Sequence, residues 1–457
     1  MTSDDLLSAA ALGLARAVRD YACEYGPIAS AMGTWLVLMA LGAPVWVAGS
    51  TCVLVLAVTA RSLWSSSRLT AAASRRQSRR AQRAVLDLWP ATATAARLVT
   101  FDDRIPLVEH VEHRGANVGG TVLDLHLRLP PGLTADDVEA ASARLAVALG
   151  AARVEVEADP MAAAKVLVSV VLDDPLAAPA SEPSPLLAAG APWHPRSGVP
   201  IGRLGDGSML APELLGQHWL IAGMTGTGKS TTAQSVATFL TLCSPGTAQA
   251  VVLDPKGGAE FGWLGRSGVA SEVVGPDVEE ACRALSRVIE VMHDRQARCA
   301  AAGRRDTEPG IISPLIVILI DEAAAYRRDK KHRDEFDRLL TLLAEQGRSS
   351  AISIVLLTQT PSVENVPASI RNNLGVRLIH RCASSSHSEV ALGDGTARQP
   401  GWDASRLPYG KVYAGLGLAV AEQTAGRPRR FRAFLLTDAD RTDALAVATR
   451  RRAPQHG

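Results

Sequence analysis

The chain has 457 residues and a net charge of +2, enough length for two or three domains with sizeable cores and no bias toward polyanions over its whole surface. Its six cysteines (23, 52, 243, 282, 299 and 382) are scattered without a C-x-x-C pair. That argues against a zinc site or a disulfide framework and suits a reducing compartment. Six lysines stand against 42 arginines, so each retained lysine invites a chemical reason.

Residues 1–24 carry a short amphipathic pattern that predicts a cytoplasmic surface helix. Residues 25–60 contain no charge, and Gly42-Ala43-Pro44 interrupts them. A spanning helix needs about 20 apolar residues, so the stretch predicts a transmembrane helical hairpin over 25–62. A single span is the other arrangement. Residues 61–86 hold seven arginines and no acid. The positive-inside rule places everything beyond residue 61 in the cytoplasm under either arrangement, with the protein a multi-pass component of the cell membrane under the first. The arginine-rich juxtamembrane segment is bounded at 63–94.

A small α/β domain is expected over 95–176: "TVLDLHLRL" alternates as a half-buried strand, "TADDVEAASARLAVALG" reads as a capped helix, and "ARVEVEA" and "KVLVSVVL" are further strands. A Pro/Ala/Ser-rich linker follows over 177–197. Residues 198–437 then alternate nearly continuous apolar runs with helical patterns, as a buried parallel sheet requires. The last residues, 438–457, are expected to be a basic tail.

The strongest motif is "AGMTGTGKST". Gly223, Met224, Thr225, Gly226, Thr227, Gly228, Lys229, Ser230 and Thr231 form a phosphate-binding loop between an apolar strand and a helix. Lys229 is assigned to the β- and γ-phosphates of ATP, and the Ser230 hydroxyl to Mg²⁺. A second apolar run ends in Asp321-Glu322. Asp321 is suited to hold Mg²⁺ and Glu322 to polarise the attacking water. Asp254 and Lys256 in "VVLDPKGG", and Gln359 in "IVLLTQTPS", stand at two more strand ends. Gln359 is placed to sense the γ-phosphate or orient water.

Taken in order, "AGMTGTGKST", "DPKG", the run ending in Asp321-Glu322, "TQTPS" and "NNLGVRL" resemble the FtsK/SpoIIIE family of DNA translocases. The resemblance covers roughly residues 95–437. It implies a RecA-like P-loop ATPase motor domain, preceded by the small α/β domain and the transmembrane hairpin. It further implies a homo-hexameric ring with ATP between subunits, and a trans-acting arginine, for which Arg348 and Arg377 are the candidates by motif position. The basic run Arg327, Arg328, Lys330, Lys331 and Arg333 occupies the region that in this family faces the channel, where it would grip double-stranded DNA through its phosphates.

A short, two-span organisation with one motor is most similar to actinobacterial conjugative transfer proteins of plasmids or integrative elements. Members that read DNA repeats carry a winged-helix domain, and no room for one follows residue 437. Sequence-directed loading is therefore assigned to a separate partner. A type VII-like protein-secretion ATPase and a chromosome-partitioning pump are the alternatives.

Overall fold

The computed structural model describes residue 83 and residues 85–452, apart from 115–121, 160, 173, 175, 177–181, 306–313 and 400. The expected hairpin over 25–62 and the tail over 1–24 lie outside the described residues. Among the described residues no helix is long and apolar enough to cross a membrane. The chain divides into two units, 1–92 and 93–457. In the first, residues 85–92 are helical.

The second unit begins with an antiparallel sheet of order β1-β2-β4-β3. Its strands are β1 (Leu107–Arg114), β2 (Val122–Arg128), β3 (Arg153–Ala158) and β4 (Lys165–Val171). Leu123, Leu125, Leu127, Val168 and Val170 are buried, which is what the alternation of "VLDLHLR" foretells once Asp124 is partnered by Ser169 at 2.7 Å. The expected helix over 134–150 is two: α1 (Ala135–Ala140) and α2 (Ser142–Leu149). Thr134 and Asp137 form a reciprocal capping box at its start, and Gly150 closes it in the left-handed conformation.

The larger sheet has ten strands in the order β6-β5-β14-β13-β12-β7-β11-β10-β8-β9. They are β5 (Gly202–Leu204), β6 (Met209–Leu210), β7 (Trp219–Ala222), β8 (Ala248–Leu253), β9 (Ala270–Val274), β10 (Leu315–Ile320), β11 (Ile352–Thr358), β12 (Val376–His380), β13 (Leu416–Val420) and β14 (Arg429–Ala433). The six from β12 to β9 are parallel, and the four at the other edge are antiparallel additions. Every residue of β7, β10 and β11 is buried, so their unbroken apolar runs reflect burial on both faces.

The crossover helices are α3 (Lys229–Leu242), α4 (Leu264–Ser267), α5 (Val278–Ala301) and α6 (Arg333–Gln346). The register pairs Ile320 with Leu253 and Leu356, and Thr358 with Ala222. The C-terminal ends of β7, β8, β10 and β11 therefore open on one side of the sheet, where ligands of such folds bind.

Two stretches differ from the sequence expectation. Residues 438–457 are not simply a tail: α7 (Asp438–Arg452) packs on α3 and α4. Thr437 and Asp440 cap its start reciprocally, and Ala444 and Ala448 are buried along one face. Its terminal arginines serve helix ends: Arg451 Nη1 donates to Leu242 O at 3.0 Å and Arg452 Nη1 to Ser267 O at 2.6 Å. The described part of the 177–197 linker is likewise packed. Leu186 is buried in the motor core and the Trp193 indole N–H donates to Leu186 O at 3.0 Å.

The small sheet meets the large one through charge. Arg153 Nη2 donates to Gly205 O at 2.7 Å, Asp174 lies 3.9 Å from Arg430 Nη1 of β14, and Arg429 of β14 pairs with Glu157 of β3.

Candidate active site

The phosphate loop leaves β7 at Gly223 and enters α3 at Gly228. No side chain caps the start of α3, so its first N–H groups stay available to an anion. Gly228 has φ +108°, and a Cβ there would meet Gly415 N at 2.5 Å. Gly223 is as tightly held, since a Cβ would lie 2.6 Å from that of His380. The loop curve is thus set from outside, by the segments that carry His380 and Gly415. Met224 N–H donates to Arg381 O at 2.9 Å, and Gly415 N–H to Thr227 O at 2.9 Å. Thr225, Gly226 and Ser230 remain exposed at the mouth.

Lys229 is 5% exposed. Burial holds its ammonium below the ordinary value, although Asp321 and Glu322 pull the other way. Asp321, at the end of β10, is 1% exposed and accepts from Lys256 Nζ at 2.6 Å. Burial works against the Lys256 charge, but the hydrogen bond and charge of Asp321 outweigh it and raise its pKa. Ser230 Oγ donates to Glu260 Oε1 at 3.3 Å.

Glu322 is held by the neighbouring strand end. Its Oε1 accepts from Thr358 Oγ1 at 2.9 Å and its Oε2 from Gln359 N–H at 2.9 Å. Gln359 Oε1 in turn accepts from Thr225 Oγ1 at 3.2 Å. The four motif segments are therefore brought together as the sequence anticipates, with Lys229, Ser230, Asp321, Glu322 and Gln359 around one opening. Asp254 does something else. It is fully buried and accepts from the N–H groups of Lys256, Glu260 and Phe261, so it shapes the turn that presents Lys256 and Glu260.

Arg348 and Arg377 lie away from this opening. Arg348 precedes β11 and Arg377 is the second residue of β12, both at the opposite end of the parallel strands from the loop. Arg377 donates to Leu374 O at 3.0 Å and to Ala391 O at 3.3 Å.

The basic run is divided. The Arg327 side chain is 7% exposed and makes a bidentate pair with Asp337, at 2.7 and 2.9 Å. Arg328, Lys330, Lys331 and Arg333 are exposed. Arg327, Arg328 and Arg333 share a cleft of about 510 Å³ with Lys256, Glu322 and Gln359.

His380, Thr358 and Glu260 went unremarked in the sequence. His380 is fully buried: its Nδ1–H donates to Leu416 O at 2.9 Å, leaving Nε2 to accept from Thr232 Oγ1 at 2.9 Å. Burial, aided by Lys229 and opposed by the Leu416 carbonyl, pushes its pKa down to about 4. The signal for Thr358 was present, since it opens "TQTPS".

Residues 204–313 match the FtsK/SpoIIIE family. The matched stretch includes the phosphate loop at 223–231. Among curated relatives, the DNA translocase FtsK of Corynebacterium glutamicum is 26% identical over 260 residues, which are 52% of this chain and 26% of the relative. DNA translocase FtsK of Lactiplantibacillus plantarum is 26% identical over 309 residues, 63% of this chain and 38% of the relative. The chain thus spans well under half the length of these relatives. Among solved structures, the pCW3 conjugation coupling protein TcpA, in its monomer form with ATPγS, superposes with a TM-score of 0.51 at 19% identity. The superposition covers 79% of this chain and 98% of that one, and it shows a shared fold.

Proposed function

We propose that this chain is the motor of an ATP-driven double-stranded DNA translocase, anchored in the cell membrane and moving plasmid or integrative-element DNA during conjugation. One observation carries the reading. The residues suited to hydrolysis, Glu322 and Gln359, line the same cleft as Arg328 and Arg333. A polyanion gripped by those arginines lies where hydrolysis is organised, and a motor needs that proximity. Lys330 and Lys331 extend the exposed basic surface, and such contacts do not depend on base sequence.

Hydrolysis divides among the chain's own groups. The bare N-terminus of α3 and Lys229 hold the phosphates. Glu322, fixed on two donors, accepts the proton of a water attacking the γ-phosphate. Gln359, tied to Thr225, orients that water relative to the loop. The oxygen donors Ser230 and Asp321 fit Mg²⁺, which takes few protein ligands beside phosphate oxygens, and no group of three or more His, Cys, Asp or Glu suited to a metal occurs among the described residues. Bound there, Mg²⁺ would neutralise charge on the β- and γ-phosphates.

In the homo-hexameric ring that belongs to this reading, Arg348 and Arg377, which lie too far round the sheet to serve their own loop, are the groups that could face a neighbour's site. The conjugative setting draws on the pCW3 coupling protein, whose likeness to this chain is one of fold.

The test is ATP hydrolysis by the whole chain, with and without double-stranded DNA of unrelated sequences, with Lys229→Ala as the control. Stimulation by every DNA tried is expected. Steady turnover with no response to DNA would overturn the translocase reading and direct the search to a protein cargo.

A further inference from the structure

The segment Leu407–Gly415 presents two aromatic rings to solvent beside the phosphate loop. Tyr409 is 60% exposed and Tyr413 45%, with Lys411 and Val412 between them. Large exposed apolar side chains grouped in one short loop mark a binding surface more often than isolated ones do. The loop is not a loose excursion. Arg381 donates to Leu407 O and sets its guanidinium 5.9 Å from the centre of the Tyr409 ring. Arg432 donates to Val412 O, and Tyr413 N–H donates to Gly410 O at 2.9 Å. Gly415, at its end, donates to Thr227 O and stands against Gly228.

The topology says which part of a nucleotide this loop would meet. On one flank of β7 lie β11 and β10, which bring Gln359, Asp321 and Glu322 to the terminal phosphate. On the other flank lie β12 and β13. β13 runs antiparallel to β12, so the loop before Leu416 rises at the same edge as His380 and the phosphate loop. A nucleotide whose γ-phosphate faces β10 points its base toward β12 and β13. Base rings stack on aromatic side chains without needing hydrogen bonds that read the base edge.

We propose that Tyr409 and Tyr413 form the nucleobase platform of the phosphate-loop site and accept purine nucleoside triphosphates by stacking. The inference rests on the nucleotide-binding reading above. It gives the loop one occupant, the base of the nucleotide whose phosphates Gly223–Thr231 hold. Because stacking is tolerant of base identity, ATP and GTP should bind with similar affinity.

The experiment is an equilibrium titration of the whole chain with ATP and, separately, with inorganic tripolyphosphate, which has no base. Tyr413→Ala and Tyr409→Ala should each weaken ATP about tenfold. Tyr413→Phe should bind ATP as the unmodified chain does. Tripolyphosphate should bind all of them equally. Equal weakening of ATP and tripolyphosphate would mean that the loop only braces Gly228, and would overturn the inference. So would ATP affinity unchanged in both alanine variants, which would free the tyrosines for a partner or for DNA. If the unmodified chain binds no ATP, the motor reading itself falls and the inference with it.

Discussion

Thr358 and Glu322 are joined across two strand ends at 2.9 Å, the threonine hydroxyl donating to Oε1 while it accepts from the Thr360 N–H at 3.2 Å. The hydroxyl thus satisfies a backbone donor and fixes a carboxylate at once. Thr358→Val removes both functions without changing the shape of the side chain. Hydrogen bonds to charged groups are worth about 1.5–3 kcal/mol, so kcat should fall about 10- to 100-fold while ATP binding persists. Thr358→Ser should restore turnover. Unchanged kcat in the valine variant would show that Glu322 needs no such anchor.

Two histidines should make the fold acid-sensitive. His380 and His218 are fully buried, and burial pushes the pKa of each down to about 4, from an ordinary value of 6.5. Lys229 beside His380 and Arg348 beside His218 act in the same direction. Between those values the unfolded chain binds protons that the folded chain refuses. Stability is therefore full above pH 6.5 and is lost as pH falls toward about 4. At pH 5 the loss should be about 2 kcal/mol per histidine. Urea midpoints at pH 7.5 and 5.0 test this, and His380→Asn should show a smaller drop than the unmodified chain. Equal drops would mean that other groups cause the acid loss.

The basic run should separate into two behaviours. Neutralising Arg328, Lys330, Lys331 and Arg333 together should lower the slope of log affinity for DNA against log salt by about three to four. Arg327→Met should leave that slope alone and lower stability, because it strands Asp337. A lost slope in the Arg327 variant would place that residue on DNA after all.

The last helix should prove structural. Ending the chain at Leu436 removes Ala444 and Ala448 from their packing and takes Arg451 from the Leu242 carbonyl at the end of α3. The expected result is a lower melting temperature and weaker nucleotide binding, since α3 carries the phosphate loop at its other end. Unaltered melting would return residues 438–457 to the status of a tail.

What the sequence displayed, and what it hid, follows from how local each signal is. β7, β8, β10, β11 and β12 are buried on both faces, and such strands announce themselves as apolar runs. The glycines of the loop and the paired acids mark their strand ends in the same way. β13 and β14 gave no such signal: "LGLAV" is short and "RRFRA" is largely arginine, legible as a strand only once its partners are known. α7 was obscured by its terminal arginines, which resemble a solvated tail until the carbonyls they meet are in view. His380 was hidden for a similar reason. Its work is done for Leu416 and Thr232, which are 36 and 148 residues away in the chain.

The junction between the small sheet and the motor has a mechanical consequence. Arg153, Glu157 and Asp174 on one side meet the Gly205 carbonyl, Arg429 and Arg430 on the other, a fastening of ions and carbonyls where a seam of leucines would resist water. Surfaces of that kind are readily rehydrated when parted, so opening the joint sacrifices little and closing it again is not sticky. The joined groups are largely withdrawn from water, so salt has little hold on the closed joint and acts on it mainly once it has opened, while both cores stay intact.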